Sequence, residues 1–333
     1  MFSLQLKSRP MHEPWFWHDH SLVGKTIRAA LTPVSFLYDT AQRLRWSLTR
    51  PTPSPIPLIC LGNATLGGVG KTPMAIAIAE LFSQDQKKVC FLTRGYGGQL
   101  TGPHHVNPDT DEVSDIGDEA LLLAAHAPVI KSANRRAGLD KIERLHPDYI
   151  IMDDGFQNPT VAKTLSIVLI SPDSFSAPQH IFPAGPFREP LSRAMERAGI
   201  VICVGQKTKP DWADYAAWLE PDNPPPAQNV VAFSGIARPH RFYDMLSDHG
   251  FTIAAKFTFP DHHQLSANEL AEIRKCAAIE QAAMMTTAKD FVRLAKSDRE
   301  GIVPYRVKMV VDHPKDLYQT ILSKAAPKTT DAP

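Results

Sequence analysis

Short apolar runs recur along the chain, most of them closed by glycine, aspartate or a polar turn. Leu58 to Leu61, Lys88 to Thr93, Tyr149 to Met152, Leu165 to Ile170, Ile200 to Val204 and Val230 to Phe233 are apolar almost throughout rather than alternating with polar residues. Continuous runs of that length predict strands buried on both faces. Met284 to Thr287 and Tyr305 to Val311 read as further strands. Between them, Ala75 to Leu81, Ala120 to Ala127, Arg135 to Leu145, Arg238 to His249 and Ser266 to Ala282 read as helices. The last has Ser266 set before Glu269 in the spacing of a capping box. Strand alternating with helix predicts an α/β fold, a mostly parallel sheet with helices on both faces.

Proline marks the joints. Pro51-Thr52-Pro53-Ser54-Pro55-Ile56-Pro57 is a stiff connector, and Pro221 to Pro226 is a lobe junction or a surface loop. A length of 333 residues suffices for two lobes and a substantial core. The expected division is an N-terminal element over 1–50, a core over 51–205 and a smaller C-terminal α/β lobe over 206–333, able to return a strand to the core. The tail beyond Lys324 is small, polar and proline-containing, and is expected to fray. No internal repeat is visible.

Residues 1–50 carry seven basic side chains (Lys7, Arg9, Lys25, Arg28, Arg43, Arg45, Arg50) against three acidic ones (Glu13, Asp19, Asp39). Three of the five tryptophans, Trp15, Trp17 and Trp46, also lie there. Leu22, Val23, Ile27, Ala30 and Leu31 fall at helical spacing, and Pro33 is expected to interrupt the run before Val34, Phe36 and Leu37. A basic, aromatic, amphipathic element suits a membrane interface, and an ordinary helix packing its apolar face on its own domain has the same pattern.

Over the whole chain, 36 basic residues nearly balance 35 acidic ones, which argues against wholesale nucleic-acid binding. Cys60, Cys90, Cys203 and Cys276 lack metal-type spacing, and the first three lie within apolar runs. They are expected to be reduced residues in a cytoplasmic compartment, the first three behaving as small core hydrophobes. No run approaches the ~20 apolar residues of a membrane span. No cleavable apolar region follows the N-terminus, so no secretory signal is expected.

The densest chemistry follows the first strand. Gly62-Asn63-Ala64-Thr65-Leu66-Gly67-Gly68-Val69-Gly70-Lys71-Thr72-Pro73-Met74 combines a strand end, a glycine-rich turn and a helix start, the context of a phosphate-binding loop. Backbone N–H groups along Thr65, Gly67, Gly68, Val69 and Gly70 suit phosphate oxygens at the positive end of the helix. Lys71 is expected to reach the β- and γ-phosphates, and the Thr72 hydroxyl to meet Mg²⁺. Thr65 stands where the first glycine of such a loop is usual.

Asp153 and Asp154 end a strand, where a second acidic element is expected to hold Mg²⁺ beside the loop. Adjacent strand residues point to opposite faces, so only one should meet the metal unless the strand has already ended. Asp118 has two readings, a helix cap or a carboxylate that accepts the proton of an alcohol. Asp261, His262 and His263 suit an oriented acid–base pair or a metal site on a loop, and histidines taken in isolation read as plain surface residues. Arg188, in a proline-punctuated loop, and Arg135 with Arg136 suit phosphate through the guanidinium fork.

In order, the chain shows Gly62-Asn63, Gly67 to Pro73, Arg94-Gly95-Tyr96-Gly97, Gly117-Asp118-Glu119 and Asp153-Asp154-Gly155-Phe156-Gln157. Pro183 to Pro190, Phe233 to Ala237, Phe259 to His263 and Thr286 to Asp290 follow. That ordered set resembles the tetraacyldisaccharide 4′-kinases of lipid A biosynthesis, over about residues 12–311. The resemblance implies a P-loop NTPase-like core that moves the γ-phosphoryl group of ATP to the 4′-hydroxyl of a tetraacylated glucosamine disaccharide 1-phosphate, giving lipid IVA. It implies an acid–base dyad of Asp118 and His262, which displaces the cap-only reading of Asp118. It puts Asp153 and Asp154 near Mg²⁺, keeps Glu119 as a metal or nucleotide candidate, and sets Arg188 and Arg135 near substrate or nucleotide. Thr65 agrees with that family, in which Ser or Thr often replaces the glycine. Asn158-Pro159 departs from it, because His is usual after the Asp-Gly-Phe-Gln segment.

A substrate with four acyl chains stays in the bilayer, since each CH₂ withdrawn into water costs about 0.8 kcal/mol. The expected location is therefore peripheral, on the cytoplasmic face of the bacterial inner membrane, with residues 1–50 as the anchor. The partners implied are the glycolipid and the membrane surface, with no nucleic acid and no protein. A non-kinase nucleotide switch or partitioning-type ATPase shares Gly-Gly-Val-Gly-Lys-Thr, but typically has lysine just before the glycine pair, where this chain has Leu66. An interaction module that has lost catalysis is the third reading; it predicts nucleotide binding without turnover.

Overall fold

The computed structural model describes residues 14–226 and 228–326. In chain order the strands are β1 (Leu58–Asn63), β2 (Val89–Thr93), β3 (His104–His105), β4 (Val129–Lys131), β5 (Tyr149–Met152), β6 (Leu165–Ile170), β7 (Ile200–Val204), β8 (Tyr215–Pro221), β9 (Asn229–Ser234), β10 (Thr252–Thr258), β11 (Ala283–Thr287), β12 (Ile302–Tyr305) and β13 (Val307–Val311). The helices are α1 (Leu22–Leu48), α2 (Lys71–Gln84), α3 (Val113–Ile116), α4 (Asp118–Ala124), α5 (Arg135–Glu143), α6 (Pro172–Ser176), α7 (Leu191–Arg197), α8 (Pro239–Asp248), α9 (Ala267–Ile279), α10 (Ala288–Arg293) and α11 (Pro314–Ala325). They form two compact units, one of residues 14–219 with 309–326 and one of 220–308.

The first unit holds a nine-stranded sheet in the order β13-β8-β7-β6-β1-β5-β2-β4-β3. β1 lies at its centre, parallel to β5 on one side (Cys60 opposite Met152) and to β6 on the other (Gly62 opposite Val168). Among the described residues, antiparallel pairing is confined to the edges of this sheet: the short β3 runs against β4, and at the other edge Asp222 N donates to Arg306 O and Asp312 N to Ala216 O, which sets β13 antiparallel to β8. Side chains alternate faces along β1, so Ile59 and Leu61 join one core and Leu58 and Cys60 the other. Met74, Ile78 and Phe82 of α2 with Leu317 and Ile321 of α11 cover the first face. Leu139 and Ile142 of α5 with Leu191 and Ala194 of α7 cover the second. Both faces being covered explains why the strands read as unbroken apolar runs. Cys60, Cys90 and Cys203 are free thiols buried within those strands.

The unit of residues 220–308 has a parallel four-stranded sheet, order β10-β9-β11-β12. Leu270 and Ile273 of α9 pack on Val231 and Phe233, while Phe242 and Leu246 of α8 pack on Val230 and Ala232. Ser266 caps α9 with the expected capping box.

Two expectations change. Tyr305 to Val311 is not one strand; it divides into β12, paired with β11, and β13, which belongs to the nine-stranded sheet. Pro33 does not interrupt α1, which runs unbroken for 27 residues from an N-cap at Ser21. Side-chain bonds flank that turn: Thr32 Oγ1 donates to Arg28 O at 2.9 Å, and Ser35 Oγ donates to Ile181 O at 2.7 Å and fastens the helix there. The Pro51–Pro57 connector is fastened at Thr52, Thr52 N donating to Thr160 O at 2.9 Å and Ala162 N to Thr52 O at 2.8 Å.

The orientation of α1 also departs from an ordinary surface helix. Its buried positions are Gly24, Arg28, Ser35 and Asp39. Leu22, Val23, Val34, Phe36, Leu37, Leu44 and Leu48 are exposed, Phe36 to 69% and Leu37 to 66%. The polar stripe faces inward and the apolar stripe outward, the reverse of a helix that packs its apolar face on its own domain. The part of the N-terminal element over residues 1–13 lies outside the described residues, as does the tail from residue 327.

Candidate functional site

The site begins where β1 ends. Gly70 caps α2 in the left-handed region, φ 93°, a conformation natural to glycine, and α2 starts at Lys71. Val69 turns inward to the core, while Gly67 and Gly68 stay exposed. The loop is fastened at its start to the proline-rich segment: Leu66 N donates to Pro186 O and Arg188 N to Ala64 O, each at 2.7 Å. Asn63 shapes it from within, its amide Nδ2 donating to Thr65 O at 2.8 Å. Lys71 Nζ lies 3.2 Å from Asn63 Oδ1 and 3.6 Å from Asp154 Oδ1.

β5 stops at Met152, so Asp153 and Asp154 stand beyond the strand and escape its alternation. Asp154 has φ 49°, which redirects the chain there. The Thr72 hydroxyl donates to Asp153 Oδ2 at 3.0 Å, and Arg188 Nη1 donates to Asp154 Oδ1 at 3.1 Å. Both acidic residues therefore engage the loop region, Asp153 through Thr72 and Asp154 through Lys71 and Arg188. Burial, together with the Glu119 and Asp154 carboxylates, pushes the Asp153 carboxyl up to about 7. The neighbouring Lys71 and Arg188 cations outweigh burial at Asp154 and hold its carboxyl below the ordinary value.

The fit to a divalent cation can be tested on one atom. Asp153 Oδ1 is buried and has no hydrogen-bond partner, while its other oxygen holds the Thr72 hydroxyl. An unsatisfied buried carboxylate oxygen is costly without a ligand, and a hard oxygen donor beside a phosphate loop suits Mg²⁺. Among the described residues no group of three His, Cys, Asp or Glu side chains forms a metal cage. Mg²⁺ needs none, because it is usually held by one or two carboxylates plus substrate phosphates.

Asp118 is the first residue of α4 and 2% exposed; the N-cap itself is Gly117, φ 86°. A Cβ at Gly117 would stand 2.4 Å from the Tyr96 carbonyl oxygen, so the Arg94–Gly97 turn packs directly on the backbone that presents Asp118. Asp118 Oδ1 accepts from Glu119 N at 2.8 Å. Glu119 is half-buried, close enough for its charge to act on Asp153. Arg135 opens α5 behind the Asn134 cap and is buried, 3% exposed. Its Nη1 donates to Ser132 O at 2.5 Å, and burial lowers it to about 10, against the opposing pull of Asp154 and Asp153.

Arg188 also borders a pocket of about 400 Å³, lined with Arg43 and Trp46 of α1, Gln157, and Arg193 and Arg197 of α7. Asp39 bridges the two helices, 2.7 Å from both Arg43 Nη2 and Arg193 Nη2. Gln157 ties pocket to loop: its Nε2 donates to Asn63 O at 2.8 Å and its Oε1 accepts from Arg188 Nη1 at 3.2 Å. Asn158, at the position where His was expected, spends its Oδ1 on Thr160 N at 2.8 Å and Thr160 Oγ1 at 2.6 Å, closing a turn.

In the unit of residues 220–308, His262 follows β10 with φ 61°, strained for a non-glycine residue. Its neighbour His263 stacks on Phe259 and bonds to Glu269 at 3.1 Å, a structural role. Sequence reasoning gave no role to Asn63, Gln157, Asp290 or Arg293. The first three lie within segments already singled out, and Arg293 is three residues beyond the last of them.

The chain is similar to known proteins. A family model described as tetraacyldisaccharide-1-P 4′-kinase, LpxK, matches residues 27–326. Tetraacyldisaccharide 4′-kinase of Maricaulis maris is 36% identical over 319 residues, covering 91% of this chain and 94% of that protein. The protein of the same name from Parvibaculum lavamentivorans is 38% identical over 300 residues, covering 86% and 87%. The crystal structure of "apo" form LpxK from Aquifex aeolicus in complex with ATP is similar at a TM-score of 0.75 with 26% identity, covering 90% of this chain and 99% of that one.

Proposed function

From its membership of the tetraacyldisaccharide-1-P 4′-kinase family, to which the chain belongs over residues 27–326, we propose that it transfers the γ-phosphoryl group of ATP to the 4′-hydroxyl of a tetraacylated disaccharide 1-phosphate, giving lipid IVA. The observation that carries this reading is the hydrogen bond from Thr72 to Asp153, whose second oxygen is left without a partner at the foot of the glycine loop. Phosphoryl transfer needs chiefly positioning and charge stabilisation, and this corner of the sheet supplies both.

In this reading Thr65, Gly67, Gly68, Val69 and Gly70 cradle the phosphates, and Lys71 exchanges its long 3.6 Å contact with Asp154 for the β- and γ-oxygens. Thr72 and Asp153, with Asp154 and Glu119 beside them, would hold Mg²⁺, which neutralises phosphate charge when bound. Asp118 accepts the proton of the acceptor hydroxyl, with His262 as its partner. Arg188 and the arginines of the neighbouring pocket suit the anionic part of the glycolipid, because guanidinium groups match phosphate oxygens. Arg135, buried near the acidic pair, offsets its charge.

The outward apolar face of α1 supports work at a bilayer surface, here the cytoplasmic leaflet of the bacterial inner membrane. Among the described residues no helix is long and apolar enough to cross a membrane. The direct test is incubation with labelled ATP, Mg²⁺ and the purified disaccharide acceptor, with the label located on the product sugar. The label is expected on the 4′-oxygen. Asp118→Ala is expected to lower kcat by about 10²–10⁴-fold while leaving ATP affinity intact. Release of free phosphate without labelled sugar would overturn the assignment.

A further inference from the structure

We propose that Arg293 is a positioning residue for His262, holding the imidazole in the tautomer whose proton sits on Nε2. The inference rests on the phosphotransfer reading above and deepens the role of one residue in it. Arg293 Nη2 lies 3.2 Å from His262 Nδ1. A guanidinium has five N–H donors and no acceptor, so Nδ1 must be the accepting nitrogen. In a neutral ring the proton is then on Nε2. Asp261 Oδ2 faces that nitrogen at 3.8 Å, an acceptor on the side where the proton is assigned.

The guanidinium is itself fixed. Its side chain is 4% exposed, and Nη1 donates to Asp290 Oδ1 at 2.8 Å and to Gly235 O at 2.7 Å. Asp290 is anchored in turn, its Oδ2 accepting from Ser234 Oγ at 3.0 Å, Gly235 N at 3.1 Å and Thr287 Oγ1 at 2.8 Å. The Gly235 carbonyl that receives Arg293 also receives the backbone N–H of His262 at 3.2 Å. Ring and backbone of His262 are thus tied to one carbonyl, and the Phe233–Ala237, Phe259–His263 and Thr286–Asp290 segments converge on one imidazole.

The chemical consequence is a division of labour. With its proton on Nε2, that nitrogen is a hydrogen-bond donor and cannot take the acceptor's proton. In the transfer, the sugar oxygen bonds to the γ-phosphorus as the bond from phosphorus to the β–γ bridging oxygen breaks. ADP leaves with that electron pair, and the hydroxyl proton passes to an Asp118 carboxylate oxygen.

Long-range ¹H–¹⁵N spectra of the full, unsubstituted chain in mildly alkaline buffer read the tautomer directly, with His262→Asn assigning the signals. A pyridine-type Nδ1 with a pyrrole-type Nε2 is expected; the reverse pattern, or an even mixture, overturns the proposal. Arg293→Gln is expected to lower kcat at least about tenfold with KM for ATP changed less than about twofold, and Arg293→Lys to recover part of it. In a His262→Asn background the same Arg293→Gln change should cost less than about twofold, because its route of action is gone. An undiminished cost there marks a merely structural residue and overturns the proposal. Should either arginine variant fail to fold, the spectrum of the unsubstituted protein still decides. Absence of phosphotransfer in the unsubstituted protein would remove the functional reading alone and leave the tautomer result standing.

Discussion

Asp153 concentrates the chemistry of the phosphate loop in one side chain. Its burial and its two acidic neighbours raise the carboxyl to about 7, whereas an unfolded chain titrates it near 3.8. Between those values the folded, metal-free protein binds a proton that the unfolded chain does not, so stability is lost as pH rises through that window. Asp153→Asn removes the titrating group. In EDTA, the melting temperature of the natural chain is therefore expected to fall more between pH 5 and pH 8 than that of the variant. Parallel curves would refute this account of Asp153. The same variant should lose phosphotransfer, because an amide oxygen is a poor substitute for a carboxylate at a divalent cation. The acidic pair and Lys71 were legible as types at a spacing; which oxygen stays unpartnered was not. That depends on Thr72 reaching across from a different element.

At the scale of the element, α1 is the informative case. Its apolar residues recur at helical spacing, which the chain alone reveals, but periodicity cannot say which face turns inward. The answer came from long-range polar partners: Asp39 engages Arg193 at 2.7 Å, and Ser35 holds the Ile181 carbonyl. Phe36 and Leu37 are thereby left outside, on a helix whose flanks carry Lys25, Arg45 and Arg50. Replacing both by Glu is expected to lower binding to anionic phospholipid vesicles at least about tenfold, since buried apolar area and charge attraction set such binding. The melting temperature should hardly change, because exposed substitutions away from special contacts stay within about 0.5 kcal/mol. Undiminished sedimentation with vesicles would rule out this face as the anchor. Deleting residues 1–45 would be a poorer test, as it also removes Asp39 and its bridge.

For the whole molecule, the two units each enclose cores on both faces of their own sheet. Separate cores predict two heat-unfolding transitions in calorimetry rather than one. ATP with Mg²⁺ is expected to raise the transition of the unit that carries the loop, by about 2.7 kcal/mol at a hundredfold excess over Kd. A single transition shifted as one body would contradict independent cores. Residue order by itself determined the strand–helix alternation, the glycine loop after Leu61 and the acidic pair after Met152. These signals are local: periodicity, backbone-permissive glycine and strand-ending carboxylates lie within a few neighbouring positions. Tertiary structure alone decided that Tyr305 to Val311 serves two sheets, that α1 turns its apolar stripe outward, and that Arg293 governs a histidine 31 positions earlier. Each of these turns on partners far away in the chain, and pairing across such separations leaves no periodic trace in the order of residues.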